Sequence, residues 1–358
     1  MRHAPVGVPT HVPLIHLIRD GFVEGVHHGS VVVLAPDGSV VFRTGDVDTA
    51  FFPRSTAKPM QAVAMTRLGL SLPPDLLALA AASHSGEPFH IDAAQRILDG
   101  CGCTEDDLGN PADLPFDPFE AAGWIASGRP TRRLAHNCSG KHAAMLATAR
   151  LRGWAPAGYL DRGHPLQRAI AATVEDLTGE QIAYTAVDGC GSPLFAVSLA
   201  ALTRAVGRIA AAAADTAERR VARAMRAHPE MVAGNRRDVT ALMRAVPGLI
   251  AKDGFEAVQV AALPDGTAIG VKIADGSDRA RLPVTVAALA LAGVDPDLLA
   301  PFGEAGTARR ADRCGGRGDR RGAGGPGGQG PPRDGRRDPA RRHRPDAGGT
   351  RPDRQRRV

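Results

Sequence analysis

Two stretches of the chain place β-branched runs on either side of a Pro-Asp-Gly turn. "SVVVLAPDGSVVFRTG" does so near the N-terminus, and "AVQVAALPDGTAIGVKIADG" does so far downstream. Each predicts a β-hairpin, because the turn residues supply the backbone angles that reverse the direction of the backbone. Between them, "LPPDLLALAAAS", "KHAAMLATARLRGW", "SPLFAVSLAALTRAVGRIAAAAA" and "ERRVARAMRAHPEM" space their apolar residues as helices do, and "RLPVTVAALALAG" adds a helix after the second hairpin. The pattern predicts an α/β (α+β) fold in which one antiparallel sheet, formed by both chain ends, packs with helices. No fixed-period repeat is visible.

Composition refines this picture at the C-terminus. The protein has 358 residues, 43% of them hydrophobic, enough for a substantial core. From about Ala308, however, Leu, Ile, Phe, Met, Trp and Tyr vanish in favour of Arg, Gly, Asp and Pro. Such a segment cannot bury enough apolar surface to offset its ordering entropy, so residues 308–358 are expected to be disordered. Translation in a shifted reading frame is the favoured origin, over an RNA-binding Arg/Gly tail, because the break falls straight after a helix and no aromatic residue is interleaved. The last fifty residues hold 16 arginines and six aspartates, so the formal charge of +6 belongs to them and the preceding body is net acidic. A nucleic-acid function has no support in that body.

The N-terminal apolar run is short and broken by histidines, unlike a signal peptide, and no stretch approaches a membrane span. A cytoplasmic protein is the expectation. Five cysteines, an odd number spread widely, argue against a disulfide framework and leave thiolate chemistry or metal binding to be weighed.

Of 44 basic residues, 40 are arginine and four are lysine: Lys58, Lys141, Lys252 and Lys272. Lysine, unlike arginine, can lose its proton when desolvated and then act as base, nucleophile or ligand. Lys58 stands three residues after Ser55 at the predicted start of a helix, a spacing that puts both on one face beside the positive helix terminus. Ser-x-x-Lys is also the nucleophile motif of penicillin-recognising enzymes, but three-spaced Ser and Lys are common by chance. "ASHSGEPFH" offers Ser83, His84, Ser85, Glu87 and His90, either as a polar loop with a helix cap or as a second wall of the cleft that holds Ser55. In "AHNCSGKHAAMLA", Asn137 is placed to cap a helix with Cys138 and Lys141 in its first turn. Cys190 lies in a Gly-bracketed turn before Ser192-Pro193, read as another helix start. Two such cysteines are either structural or converge on one ion, for which zinc suits thiolate ligands. Lys252, before an Asp-Gly turn, can face a cleft; Lys272 sits in a strand at a sheet edge.

In this order, "RSTAKPMQA", "ASHSGE", "HNCSGKHAAML", "DGCGSP", "HPEMVAG" and "VKIADG" resemble the rhizobial-type (class 3) L-asparaginases, the asparaginase II family, from about Val23 to Gly293. The resemblance implies a fold like that of serine β-lactamases and glutaminases, a homodimer, a zinc ion near the site, and L-asparagine as the small-molecule substrate. It implies a catalytic domain over residues 1–307. Carried across by motif, Ser55 and Lys58 form one catalytic pair, Ser83 and Lys252 a second, and Cys138, Lys141 and Cys190 hold the metal. Asp188 then meets the substrate's α-ammonium and Arg54 its carboxylate. The implied reaction is attack by Ser55 on the side-chain amide, with Lys58 taking the proton. Two other readings share features: a penicillin-recognising hydrolase, which would need an export signal and a Lys-Thr-Gly strand absent here, and a non-catalytic zinc or nucleic-acid binder acting through the arginine-rich tail.

Overall fold

The computed structural model describes residues 7–303. The reading of residues 308–358 lies outside the described residues. The N-terminal hairpin forms as its pattern predicts, from β2 (Phe22–Leu34) and β3 (Val40–Thr44), with Gly38 at a φ of +83° in the turn. Ahead of it lies β1 (Val12–Arg19), a strand the pattern reading missed because its histidines break the apolar run. The downstream hairpin is β7 (Val258–Ala262) with β8 (Ala268–Ile273), turning at Gly266. A further strand, β6 (Ile250–Gly254), pairs with β7.

These six strands form one sheet in the order β1, β2, β8, β7, β6, with β3 on the free edge of β2 beyond the end of β1. Every pair is antiparallel. The seam between the two ends is β2 on β8, where Gly29 to Leu34 face Ile273 to Ala268. One antiparallel sheet from both ends is therefore what forms. A separate two-stranded ribbon joins β4 (Tyr184–Val187) to β5 (Pro193–Ala196). Here the sequence reading needs correction: Ser192-Pro193 opens this strand and not a helix. The helix begins later, at Leu199, where Ser198 Oγ accepts the Ala201 N–H at 3.0 Å.

Twelve helices lie among the described residues. The first six are α1 (Lys58–Arg67), α2 (Pro74–Ala80), α3 (Pro88–Cys101), α4 (Pro118–Ala126), α5 (Ser139–Leu151) and α6 (Pro165–Thr178). Then follow α7 (Leu199–Ala210), α8 (Ala217–Ala227), α9 (Pro229–Val232), α10 (Asp238–Ala245), α11 (Asp278–Leu291) and α12 (Pro296–Gly303). Helices α7 and α11 cover opposite faces of the sheet. Leu199 and Thr203 of α7 lie over Gly270, whereas Arg281 of α11 reaches Gln259, which pairs with Val271 on the other face. Beyond α7, helices α1 and α5 are buried on every side, Lys58 to Thr66 and Ser139 to Ala149. A helix can be enclosed this way when most of its residues are small, and the close approach of α5 to Leu79 depends on Gly140 lacking a Cβ.

Gly270 sets the distance between sheet and α7, since a methyl there would run into Thr203 Oγ1, Leu199 and Val32. Gly270→Ala should lower stability by about 1–3 kcal/mol through overpacking, read as a drop in the denaturant midpoint with the m-value unchanged. A midpoint equal to wild type would show that the α7 contact yields freely.

Candidate active site

The site forms where the buried helices meet the end of β6. Pro53 leads into a 3₁₀ turn, Arg54–Ala57, and α1 follows at Lys58 with Pro59 near its start, where a missing N–H costs no hydrogen bond. Arg54 holds a φ of +52°, a strained angle for a non-glycine residue. Gly254 at the end of β6 presses on this turn, since a Cβ there would come within 3.0–3.2 Å of Pro53 O and the Ser55 and Thr56 nitrogens.

Lys58 is 2% exposed, and its Nζ donates to Ala82 O at 2.6 Å, Ser83 Oγ at 2.9 Å and Cys138 Sγ at 3.1 Å. The Ser55 hydroxyl is not among its partners. The spacing pairs Lys58 with Ser55, but the fold brings it to Ser83, because α1 turns its first residue toward the segment after α2. That segment is clamped in extended form: Ser83 N–H donates to Val232 O, His84 N–H to Asn137 O, and Ser85 N–H to Ala233 O. Within it His84 binds Ser139 Oγ at 2.9 Å and stacks on His90, so both histidines are structural. Glu87 holds Asn235 through its backbone and side-chain nitrogens.

Lys252 does not bond to Ser83 as the resemblance implies. Its Nζ donates to Asp253 O and Asp253 Oδ1, both at 2.8 Å. Burial, together with the Lys58 charge, lowers its pKa to about 8, against the pull of Asp253. Burial alone would raise Asp253, yet Lys252, Arg237 and Arg281 hold its carboxyl far below the ordinary value, so it stays ionised.

The second cluster is built on thiols. Cys138 itself occupies the N-cap of α5, with Asn137 one step outside, which corrects the expectation that Asn137 caps the helix; the Cys138 N–H is taken by His136 Nδ1 at 3.0 Å. Lys141, in the first turn of α5, donates to Ser192 Oγ at 2.6 Å and Cys190 Sγ at 3.1 Å. Interaction with Cys138 draws the Cys190 thiol strongly toward the thiolate despite burial, and the Lys141 amine 3.1 Å away reinforces it. Cys138 is pushed the other way, first by that same interaction and then by burial. The pKa values of the two thiols are thus driven apart, Cys190 downward and Cys138 upward. Burial pushes His142 down to about 4. Tyr159 Oη accepts the Gly109 N–H and shares a hydrogen bond with His142 Nδ1 at 2.6 Å, while His142 Nε2 is buried with no hydrogen-bond partner beside the cluster.

A cavity of ≈ 490 Å³ opens onto the thiol cluster and the turn that carries Ser55, while Lys58, Ser83 and Lys252 do not reach its wall. Ser55, Cys138 and Cys190 reach its wall, with Phe116 and Phe255 as aromatic sides. At its margin Arg54 Nε donates to Asp188 Oδ1 at 2.9 Å, and the guanidinium lies over Phe255. The two residues expected to meet a substrate's opposite charges are thus paired with each other. His136, Asn137 and Asp113 also line the cavity without having been singled out by the sequence as site residues. A signal existed for the first two, which directly precede Cys138, and for Ser192, which follows Cys190 by two.

Hydroxyls, a buried amine and an ion pair around one cavity are the equipment of a hydrolytic site. Residues 15–322 match the family described as L-asparaginase II. The protein belongs to the L-asparaginase II family. A search of curated proteins finds no match. Among solved structures, Mglu in its native form aligns with TM-score 0.38 and 16% identity, over 74% of this sequence and 62% of that one. A beta-lactamase from Mycobacterium bovis aligns with TM-score 0.39 and 15% identity, over 76% and 94%. The protein therefore spans under two thirds of the Mglu structure, and likenesses this weak leave the fold to be read from its own topology. No helix among the described residues is long and apolar enough to cross a membrane.

Asp253 is the counter-charge for Lys252 and Arg237. Asp253→Asn should cost about 3–5 kcal/mol, since it strands buried cations. Its carboxyl titrates below 3.8 in the folded state, so its contribution is complete above that pH and is lost as the pH falls below it. Lys252 has the same slope in a different window: between about 8 and 10.5 the unfolded protein holds the extra proton, so the cost of burying this amine is relieved and stability rises with pH. Urea titrations across pH should show the acid loss shrink in the variant; an unchanged acid limb would rule Asp253 out as its source.

Proposed function

We propose that the protein hydrolyses the side-chain amide of L-asparagine to L-aspartate and ammonia by a serine-lysine mechanism. The observation that carries the reading is one cavity with Ser55 on its wall, the Arg54–Asp188 pair at its margin, and Lys58 held just behind by Ser83. A zwitterionic α-amino acid carries the two charges complementary to Arg54 and Asp188, and can replace their mutual contact with one bond to each. Its side-chain amide then lies toward Ser55.

Ser55 Oγ attacks the amide carbon, and its proton passes to Lys58, one helical turn away, in the neutral-amine form, whose lone pair turns to Ser55 once substrate is bound while its two N–H groups stay on Ala82 O and Ser83 Oγ. Lys58 returns the proton to the leaving nitrogen, ammonia departs, and water cleaves the resulting ester. Backbone N–H groups of the turn at Ser55 supply donors for the oxyanion. Ser83 keeps the lysine aimed and relays protons, while Lys252, lowered to about 8, is a second reservoir near Lys58.

The thiol cluster suits zinc. Among the described residues no three His, Cys, Asp or Glu side chains form a metal site, but the donor set here is two cysteines and a lysine amine. Cys138, Lys141 and Cys190 would hold the ion, with Cys190 already ionised and the orphaned His142 Nε2 beside them. Bound zinc would supply a Lewis-acidic point that binds water or substrate oxygen next to the cavity.

Ammonia release from L-asparagine tests the substrate. Intact-mass analysis after a slow asparagine analogue tests the nucleophile: an adduct on Ser55, lost in Ser55→Ala and retained in Ser83→Ala, is the expected result. An adduct on Ser83 would exchange the two roles, and one on Cys138 or Cys190 would overturn the mechanism.

Elemental analysis of the purified protein should find zinc at about one equivalent, as a single structural-type donor set holds. The Cys138→Ser, Cys190→Ser double variant should lose it. Metal retained by that variant would place the ion elsewhere.

A further inference from the structure

The fourth lysine has no part in that reading. Lys252 pairs through Val260 with Gly270, and Lys272 lies two residues beyond Gly270, so both lysines leave the sheet on the same face. Lys272 Nζ donates to Glu256 O at 2.6 Å and Ile273 O at 2.7 Å, which uses two of its three N–H groups. It lines a second cavity, of ≈ 520 Å³, together with the apolar side chains of Phe51, Phe52, Val187 and Leu194. Both cavities include Arg54, Asp188 and Gly189 in their walls, so they meet at the ion pair.

We propose that this outer cavity receives the residue following an N-terminal asparagine, and that the enzyme also deamidates short peptides Asn-X with an apolar X. The inference rests on the asparaginase reading, which sets the α-carbon of the ligand at Arg54 and Asp188. In Asn-X the α-ammonium remains for Asp188. The α-carboxylate becomes a peptide carbonyl, still an acceptor for Arg54. The peptide beyond it continues into the outer cavity, where X packs on the two phenylalanines and Leu194, and its terminal carboxylate meets the third N–H of Lys272. Glu256 shares this wall, with its carboxylate packed against Gly276. In the reaction the carbon–nitrogen bond of the asparagine carboxamide breaks, the departing NH2 gains one proton to leave as ammonia, water supplies the new carboxyl oxygen and restores the proton to the serine, and the peptide bond is untouched; Asn-X becomes Asp-X. Extension from the α-nitrogen instead removes the charge that Asp188 requires.

The experiment compares ammonia release from L-asparagine, L-asparaginyl-L-leucine and L-leucyl-L-asparagine by the full-length protein. We expect kcat/KM for Asn-Leu within about tenfold of that for asparagine, and Leu-Asn lower by about a hundredfold, as loss of a charged contact in a built site implies. Two variants alter the outer cavity: Lys272→Met, and Val187→Asp on the exposed edge of β4, which sets a negative charge near the terminal carboxylate. Each should lower the ratio of kcat/KM for Asn-Leu to that for asparagine by about tenfold. An enzyme that turns over asparagine but not Asn-Leu overturns the proposal, as does a ratio unchanged in both variants or Leu-Asn cleaved as well as Asn-Leu. Silence toward all three substrates sinks the asparaginase reading itself, and this one with it.

Discussion

Three lysine side chains, Lys58, Lys141 and Lys252, lie almost wholly inside the protein, and no interior tolerates an ammonium group without partners. Each obtains a different set. Lys58 is met by a carbonyl, a hydroxyl and a thiol, Lys141 by a thiolate and a hydroxyl, and Lys252 by a carboxylate and its backbone. For Lys58 and Lys141 the partners come from separate stretches of the sequence, whereas Lys252 is met by the adjacent Asp253, itself bound by Arg237. The requirement to satisfy Lys58 and Lys141 therefore ties the start of α1, the segment after α2, the start of α5 and the Cys190 turn into one polar centre, beside which the end of β6 lies.

The apolar structure around this centre makes the arrangement rigid. Helices α1 and α5 are enclosed on all sides, so the first residues of each cannot shift without moving the core. The sheet contributes through the seam of β2 on β8, which joins the two ends of the fold and, through β7, fixes where β6 delivers Lys252 and Gly254. At the cavity margin strain falls on Arg54, one of five non-glycine residues at positive φ among the described residues, where the backbone must turn sharply between Pro53 and α1. Holding that angle costs about 1–3 kcal/mol, which the surrounding packing offsets to keep the contact preorganised.

Charge is distributed unevenly between the two clusters, and this separates their roles. Around Lys252 the negative charge is a carboxylate shared with Arg237. Around Lys141 it is the Cys190 thiolate, a softer group facing the cavity. Lys58 stands between them, bonded to Cys138 on one side and electrostatically coupled to Lys252 on the other. The serine hydroxyls on either side of it differ as well: Ser83 is held by the lysine, whereas Ser55 is turned to the cavity.

Much of the architecture was legible in the amino-acid sequence, and for a physical reason. Hairpin turns and helical spacing are local, so "APDG" and "LPDG" announced the sheet's two halves, and the scarcity of lysine against arginine drew attention to Lys58, Lys141 and Lys252, which the fold buries. Strands with weak alternation, β1 and β5, were not legible, because their pairing partners and not their own residues make them strands. The members of the site could be named from motifs, but their pairing could not. Spacing placed Lys58 with Ser55 and Asn137 at a helix cap; packing gave Lys58 to Ser83, gave the cap to Cys138, and joined Arg54 to Asp188 from opposite sides of the helical block. Which amine meets which hydroxyl depends on how buried helices rotate against one another to fill space. That is decided by the whole core at once, and no short stretch of sequence contains it.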